Sequence, residues 1–150
     1  MPGHSYSRCW IHLVWSTHKR EKVLHGENAA RVTDHLRVLF EGEDIYLKSI
    51  HVNPDHVHAL IDLPPTRSVD EVMKTLKGSS SRWINANRFV VGHFQWARGY
   101  GAFSVSASVV GDVAAYIERQ EEHHRIRTFA EEYEAFVRRY GLKYEPHHPE

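Results

Sequence analysis

Between Ser7 and Ser16 the residues Cys9, Ile11, Leu13 and Trp15 alternate with Trp10, His12, Val14 and Ser16. A period of two with one strongly apolar side predicts a central β-strand. The spacing then changes. Val32, Leu36, Leu39 and Phe40 recur at helical intervals over Asn28–Glu41, and Gly42 stands where a helix would stop. Two further strands are predicted over Ile45–Val52 and His56–Leu63, joined by the turn-forming run Asn53-Pro54-Asp55. Pro64 and Pro65 end the second of them. Ser68, with Glu71 three positions on, then opens a second helix in a capping-box pattern, carried by Val69, Val72, Met73, Leu76 and Trp83 to about Asn87.

The segment Phe94–Ser106 is rich in aromatics and glycine (Trp96, Gly99, Tyr100, Gly101, Phe103), the pattern of a strand interrupted by a bend or bulge. Val109, Val113, Tyr116, Ile117 and Gln120 fall on one side of a third helix running to about His124. From Thr128, Phe129, Tyr133, Phe136, Val137 and Tyr140 repeat that spacing until Gly141. The order strand, helix, strand, strand, helix, strand predicts an α+β, ferredoxin-like (RRM-like) antiparallel sheet with helices on one face, extended by C-terminal helices. No linker or repeat divides the chain, so residues 1–150 are expected to form a single domain, which 150 residues suffice to support.

Composition narrows the setting. The single Cys9 cannot form an internal disulfide, the start of the chain lacks a charged region followed by a long apolar run, and no segment approaches the roughly 20 apolar residues of a membrane span. A cytoplasmic protein with no membrane partner is expected. Lys plus Arg and Asp plus Glu are each 19, so bulk charge does not announce a polyanion partner. Basic residues do cluster locally, at Lys19, Arg20 and Lys22 and at Lys74, Lys77 and Arg82.

Chemistry concentrates in two places. In Asp55-His56-Val57-His58-Ala59-Leu60-Ile61, residues two apart share a face of a strand, so His56 and His58 point one way while Val57, Ala59 and Ile61 point to the core. Two imidazoles side by side on a rigid strand can hold a divalent ion if a third ligand arrives from elsewhere. Two histidines on a half-exposed strand are the plain alternative. The second place is the predicted third helix, where Tyr116, Gln120, His123 and His124 can line one face. Gln120 offers a carbonyl oxygen to a metal, and Tyr116 offers a phenol that a nearby cation can activate.

The run His51-Val52-Asn53-Pro54-Asp55-His56-Val57-His58-Ala59-Leu60, followed by Tyr116-Ile117-Glu118-Arg119-Gln120, resembles the single-tyrosine HUH transposases of the bacterial insertion-sequence 200/605 group, including their repeat-associated relatives. His12-Leu13-Val14-Trp15-Ser16-Thr17, Met73-Lys74-Thr75-Leu76-Lys77-Gly78 and the segment from Trp96 to Ser106 extend the resemblance in order and spacing over roughly residues 5 to 140. It implies Tyr116 as nucleophile, His56, His58 and Gln120 as metal ligands, and Mg²⁺ or Mn²⁺ as the ion. It further implies hairpin-bearing single-stranded DNA as substrate, a 5′-phosphotyrosine intermediate with a free 3′-hydroxyl, and a homodimer in which each tyrosine helix completes the other subunit's site.

Single strands are bound by basic grooves and by aromatic faces on which bases stack. Lys74, Lys77, Arg82 and Arg98 are the basic candidates, and Trp96 and Tyr100 the stacking ones; a solvated helix face and an aromatic core are the competing reading. His123 and His124 stand beside Gln120 as further candidate ligands. Zero net charge leaves open both a mobile-element enzyme and a domesticated relative acting on cellular repeats. The principal rival is a non-catalytic nucleic-acid-binding module of ferredoxin-like fold, which needs neither the Tyr116 hydroxyl nor a metal. A histidine phosphoesterase ranks lower, since Leu60 takes the place of a third alternating histidine, and a structural zinc site lower still with one cysteine.

Overall fold

The computed structural model describes residues 5–120 and 128–141. Its elements are β1 (Trp10–Ser16), α1 (Gly26–Gly42), β2 (Tyr46–Val52), β3 (His56–Asp62), α2 (Val69–Ala86), β4 (Gly101–Ser104), α3 (Val110–Glu118) and α4 (Phe129–Arg139). The four strands lie in the order β2-β3-β1-β4, and every neighbouring pair is antiparallel. This is the ferredoxin-like arrangement expected from the order of elements.

Alternation along the strands separates two packed faces. Ile11, Leu13 and Trp15 of β1 and Val57, Ala59 and Ile61 of β3 join Val32, Leu36 and Phe40 of α1 and Val72, Met73, Leu76 and Ile84 of α2 in the main apolar core. The other face is covered by the last two helices. Leu60 meets Val110, Ala114 and Ile117 of α3, while Val14 and Phe103 meet Phe129 and Val137 of α4. The two helix pairs therefore sandwich the sheet.

Local signals fix the ends of the elements, with some departures from expectation. Ser68 caps α2 by accepting from the Glu71 backbone N–H at 3.1 Å, but the Glu71 carboxylate turns to the guanidinium of Arg67 and leaves the capping box half made. Thr128 and Glu131 form a complete box at the start of α4. The expected strand over Phe94–Ser106 shrinks to Gly101–Ser104, preceded by a single bridge between Thr17 and Trp96. Gly101 has the Tyr133 and Phe103 rings where a Cβ would stand, at 2.8 and 2.9 Å, so a side chain there would force the rings to move. The third helix ends at Glu118, because Arg119 leaves helical geometry (φ −105°, ψ 29°). His123 and His124, expected on its last turn, lie outside the described residues.

Candidate metal and tyrosine site

β3 positions the two histidines. His56 and His58 share its second face and are buried at 1 % and 0 % exposure, because α4 closes over them. The ring of Phe129 stacks on His56 at 4.2 Å, and Phe136 approaches His58 at 6.4 Å. The plain alternative of half-exposed histidines is thus overturned: the expectation left out the covering helix.

Both rings turn Nε2 toward the same point. His58 Nε2 lies 3.1 Å and His56 Nε2 3.6 Å from Glu132 Oε1. One ligand atom from each of His56, His58 and Glu132 falls within 4.8 Å of the others, a group able to hold a metal ion. The Nδ1 atoms face away to second partners, Asp55 Oδ1 at 2.7 Å for His56 and His12 Nε2 at 2.8 Å for His58. Metal-ligating histidines are commonly held in this way.

Burial and pairing set the charges. Burial disfavours ionisation of the Glu132 carboxyl, but hydrogen bonds from His56 and His58 and their charge outweigh it, bringing its pKa down to about 2. Burial likewise opposes a charge on His56, yet the hydrogen bonds to Asp55 and Glu132 prevail and raise its pKa. His12 has the opposite balance. Its burial, reinforced by His58, lowers its pKa to about 3 and keeps it neutral.

α3 brings the tyrosine. The Tyr116 hydroxyl donates to Glu132 Oε2, and its ring stands edge-on to His58 with centroids 6.2 Å apart. Gln120 is fully buried in the same cluster. Its Oε1 accepts from Asn53 Nδ2 at 3.5 Å, and its Nε2 donates to Glu132 Oε2 at 3.4 Å. Asn53 Nδ2 in turn lies 3.2 Å from His56 Nε2. Tyr116 and Glu132 also line an open cleft with His12, Asp112, Phe136 and Arg139.

The structure therefore assembles Tyr116, His56, His58 and Gln120, and adds Glu132, which sequence reading passed over. A signal for it exists. Glu132 follows Phe129 by three positions and precedes Phe136 by four, so an acid sits on the apolar stripe of an amphipathic helix.

The expected DNA-contacting residues are not brought to this site. Lys74, Lys77 and Arg82 belong to α2, on the opposite face of the sheet. Lys74 pairs with Asp70 at 3.4 Å and Lys77 donates to the Gly99 carbonyl at 2.9 Å, while Arg82 and Arg98 are exposed. Tyr100 is half-buried, with its hydroxyl 3.3 Å from Asp70 Oδ1. Trp96 corrects the expectation of a stacking platform. It is 7 % exposed, packs edge-on to Trp15 and Phe94, and donates from Nε1 to Ser80 Oγ at 2.9 Å, so it is a core residue with no face for a base.

Known proteins resemble this chain in sequence and in fold. Residues 5–120 match the family model described as transposase, IS200-like. The chain is 30% identical over 116 residues to the ISDra2 transposase TnpA of Deinococcus radiodurans, covering 74% of this chain and 83% of that one. It is 28% identical over 129 residues to the transposase for insertion sequence element IS200 of Salmonella typhimurium, covering 83% and 84%. Among solved structures, a Deinococcus radiodurans R1 protein assigned as a transposase superposes with a TM-score of 0.62 at 30% identity, over 80% of this chain and 95% of that chain. A REP-associated tyrosine transposase bound to a REP hairpin superposes with a TM-score of 0.59 at 13% identity, over 83% and 74%, a likeness of fold.

Proposed function

Because the chain belongs to the IS200-like transposase family, we propose that it is a metal-dependent single-stranded DNA endonuclease and strand transferase in which Tyr116 is the nucleophile. The observation that carries this reading is the meeting of the Tyr116 hydroxyl, the Nε2 atoms of His56 and His58, and the Glu132 carboxylate in one buried cluster. In the reaction, Tyr116 Oη bonds to a phosphorus of the strand and the bond from that phosphorus to the 3′-oxygen breaks. The 3′-oxygen leaves and takes up a proton, and the 5′-phosphate stays on the tyrosine. Attack by a 3′-hydroxyl reverses the step at a new end.

The donor set fits a divalent cation, and the resemblance to the family makes Mg²⁺ or Mn²⁺ the proposed ion. Two imidazoles and a carboxylate converge, and each imidazole is oriented by a partner on its far nitrogen. His56, His58 and either Glu132 or Gln120 would hold the ion, which supplies positive charge to the scissile phosphate. The chain's own groups do the rest. Glu132 Oε2 accepts the hydrogen bond of the phenol and so lies where its proton departs, and Phe129 and Phe136 shield the histidines from water.

Hairpin-bearing single-stranded DNA is the proposed substrate, supported by the similarity in fold to the hairpin-bound REP-associated transposase. Tyr116 reaches the His58 and Glu132 of its own chain, so one chain carries the full set. A homodimer exchanging tyrosine helices would replace this contact with its counterpart from the partner. With Mn²⁺ and a hairpin oligonucleotide, the protein should form a DNA adduct that survives a denaturing gel, and His58→Ala should abolish it. Undiminished adduct in His58→Ala would contradict the metal site, and binding without any adduct would favour a non-catalytic module.

A further inference from the structure

Resting on the reading that His56 and His58 hold a divalent ion, we propose that His12 is a positioning residue. When the ion is bound, it accepts the hydrogen bond of the His58 Nδ1–H and so leaves the Nε2 lone pair of His58 to the metal. His12 Nε2 lies 2.8 Å from His58 Nδ1, and the two rings stack with centroids 5.0 Å apart at 28°. The contact is set by sheet register. Val14 stands opposite His58 and His12 opposite Leu60, so His12 and His58 are diagonal neighbours on one face of a central strand pair. Both are buried, at 2 % and 0 % exposure.

A neutral imidazole has one proton for two nitrogens, and only the bare nitrogen can ligate. His58 turns Nε2 to the site, 3.1 Å from Glu132 Oε1, so a ligating His58 must carry its proton on Nδ1. The partner of that atom is His12 Nε2, which must then be bare, with the His12 proton on its own Nδ1. Were His12 to donate from Nε2 instead, the proton of neutral His58 would sit on Nε2 and block the metal. One hydrogen bond thus sets the tautomers of two rings.

The two ligands are steered by unlike partners. His56 Nδ1 faces the Asp55 carboxylate at 2.7 Å, which when ionised can only accept. His12 can accept or donate. Metal binding at His58 therefore dictates where the proton sits on a ring that does not touch the ion, a consequence mere packing of His12 would not produce.

The direct test is ¹⁵N NMR of the full chain, labelled at histidine and saturated with diamagnetic Mg²⁺. His58 should be protonated at Nδ1 and bare at Nε2, and His12 should likewise be protonated at Nδ1 and bare at Nε2. A His12 protonated at Nε2 in the saturated protein would overturn the proposal. Calorimetric titration with Mn²⁺ provides the second arm. His12→Leu, which has no acceptor, should bind roughly 10- to 100-fold more weakly, and His12→Gln, whose side-chain oxygen can accept, should recover most of the loss. His12→Leu binding like the wild type would sink the role of His12 alone. A wild-type protein that binds neither ion would instead remove the metal reading, and this proposal with it. If His12→Leu does not fold, the tautomers of the wild type decide.

Discussion

Along β3 the two faces of the sheet are buried to the same degree, yet they hold different kinds of matter. Toward α1 and α2, β3 presents Val57, Ala59 and Ile61, all at 0 % exposure among aliphatic neighbours. Toward α3 and α4 it presents His56 and His58, at 1 % and 0 %, among a tyrosine, an amide and a carboxylate. Hydrocarbon needs only to be packed, whereas each buried polar atom needs a partner. α1 and α2 hold the sheet together through hydrocarbon, and α3 and α4 bring polar groups to it.

The two faces should part most sharply at Tyr116. Tyr116→Phe should lower adduct formation at least ~10³-fold while thermal unfolding stays within a few degrees, since only a hydroxyl is lost. Unchanged cleavage would put the nucleophile elsewhere. On the other face, Leu36→Ala should destabilise the chain by about 2–5 kcal/mol in denaturant unfolding, yet leave adduct formation per folded molecule as in wild type. Equal effects on stability and chemistry would erase the distinction between the faces.

Next in size is the choice of third ligand. Glu132→Gln removes a charge, and Gln120→Ala removes an amide oxygen. We expect Glu132→Gln to weaken Mn²⁺ binding roughly tenfold or more by calorimetry and Gln120→Ala to weaken it less; the reverse order would return the ligand to Gln120. Protons compete with the ion at the same atoms. The pKa of His56 is raised above its ordinary 6.5, so Mn²⁺ affinity should fall as pH is lowered through neutrality, by up to about tenfold per unit, with a proton released on binding. The metal-free chain has the opposite sign. A raised pKa contributes stability that is full below the unfolded value and lost as pH rises through the folded one. The smallest effect is expected at Trp96→Phe, which gives up the hydrogen bond to Ser80 at a cost of about 1 kcal/mol and should leave hairpin affinity unaltered.

Much of the apolar face was legible in the sequence because one rule governs it. Alternation in β1 and β3 and helical spacing at Val32, Leu36, Phe40, Val72, Met73 and Leu76 each report a side chain's direction, and the core follows. The polar face was legible only in part. The direction of His56 and His58 came from the same alternation, but their burial came from α4, whose docking is a tertiary matter. Glu132 shows in the sequence only as an acid on an apolar helical stripe, and the burial of Trp96 depends on Ser80, which lies on a different element. The end of α3 at Glu118 is set by the turn at Arg119, a residue with no breaker chemistry of its own.

Under the proposed function, Tyr116 carries the DNA in the covalent adduct. Tandem mass spectrometry of the nuclease-trimmed adduct, formed with Mn²⁺ and a hairpin oligonucleotide, would place the 5′-phosphate on one residue. That residue should be Tyr116; attachment to another residue such as Tyr133 would place the nucleophile elsewhere.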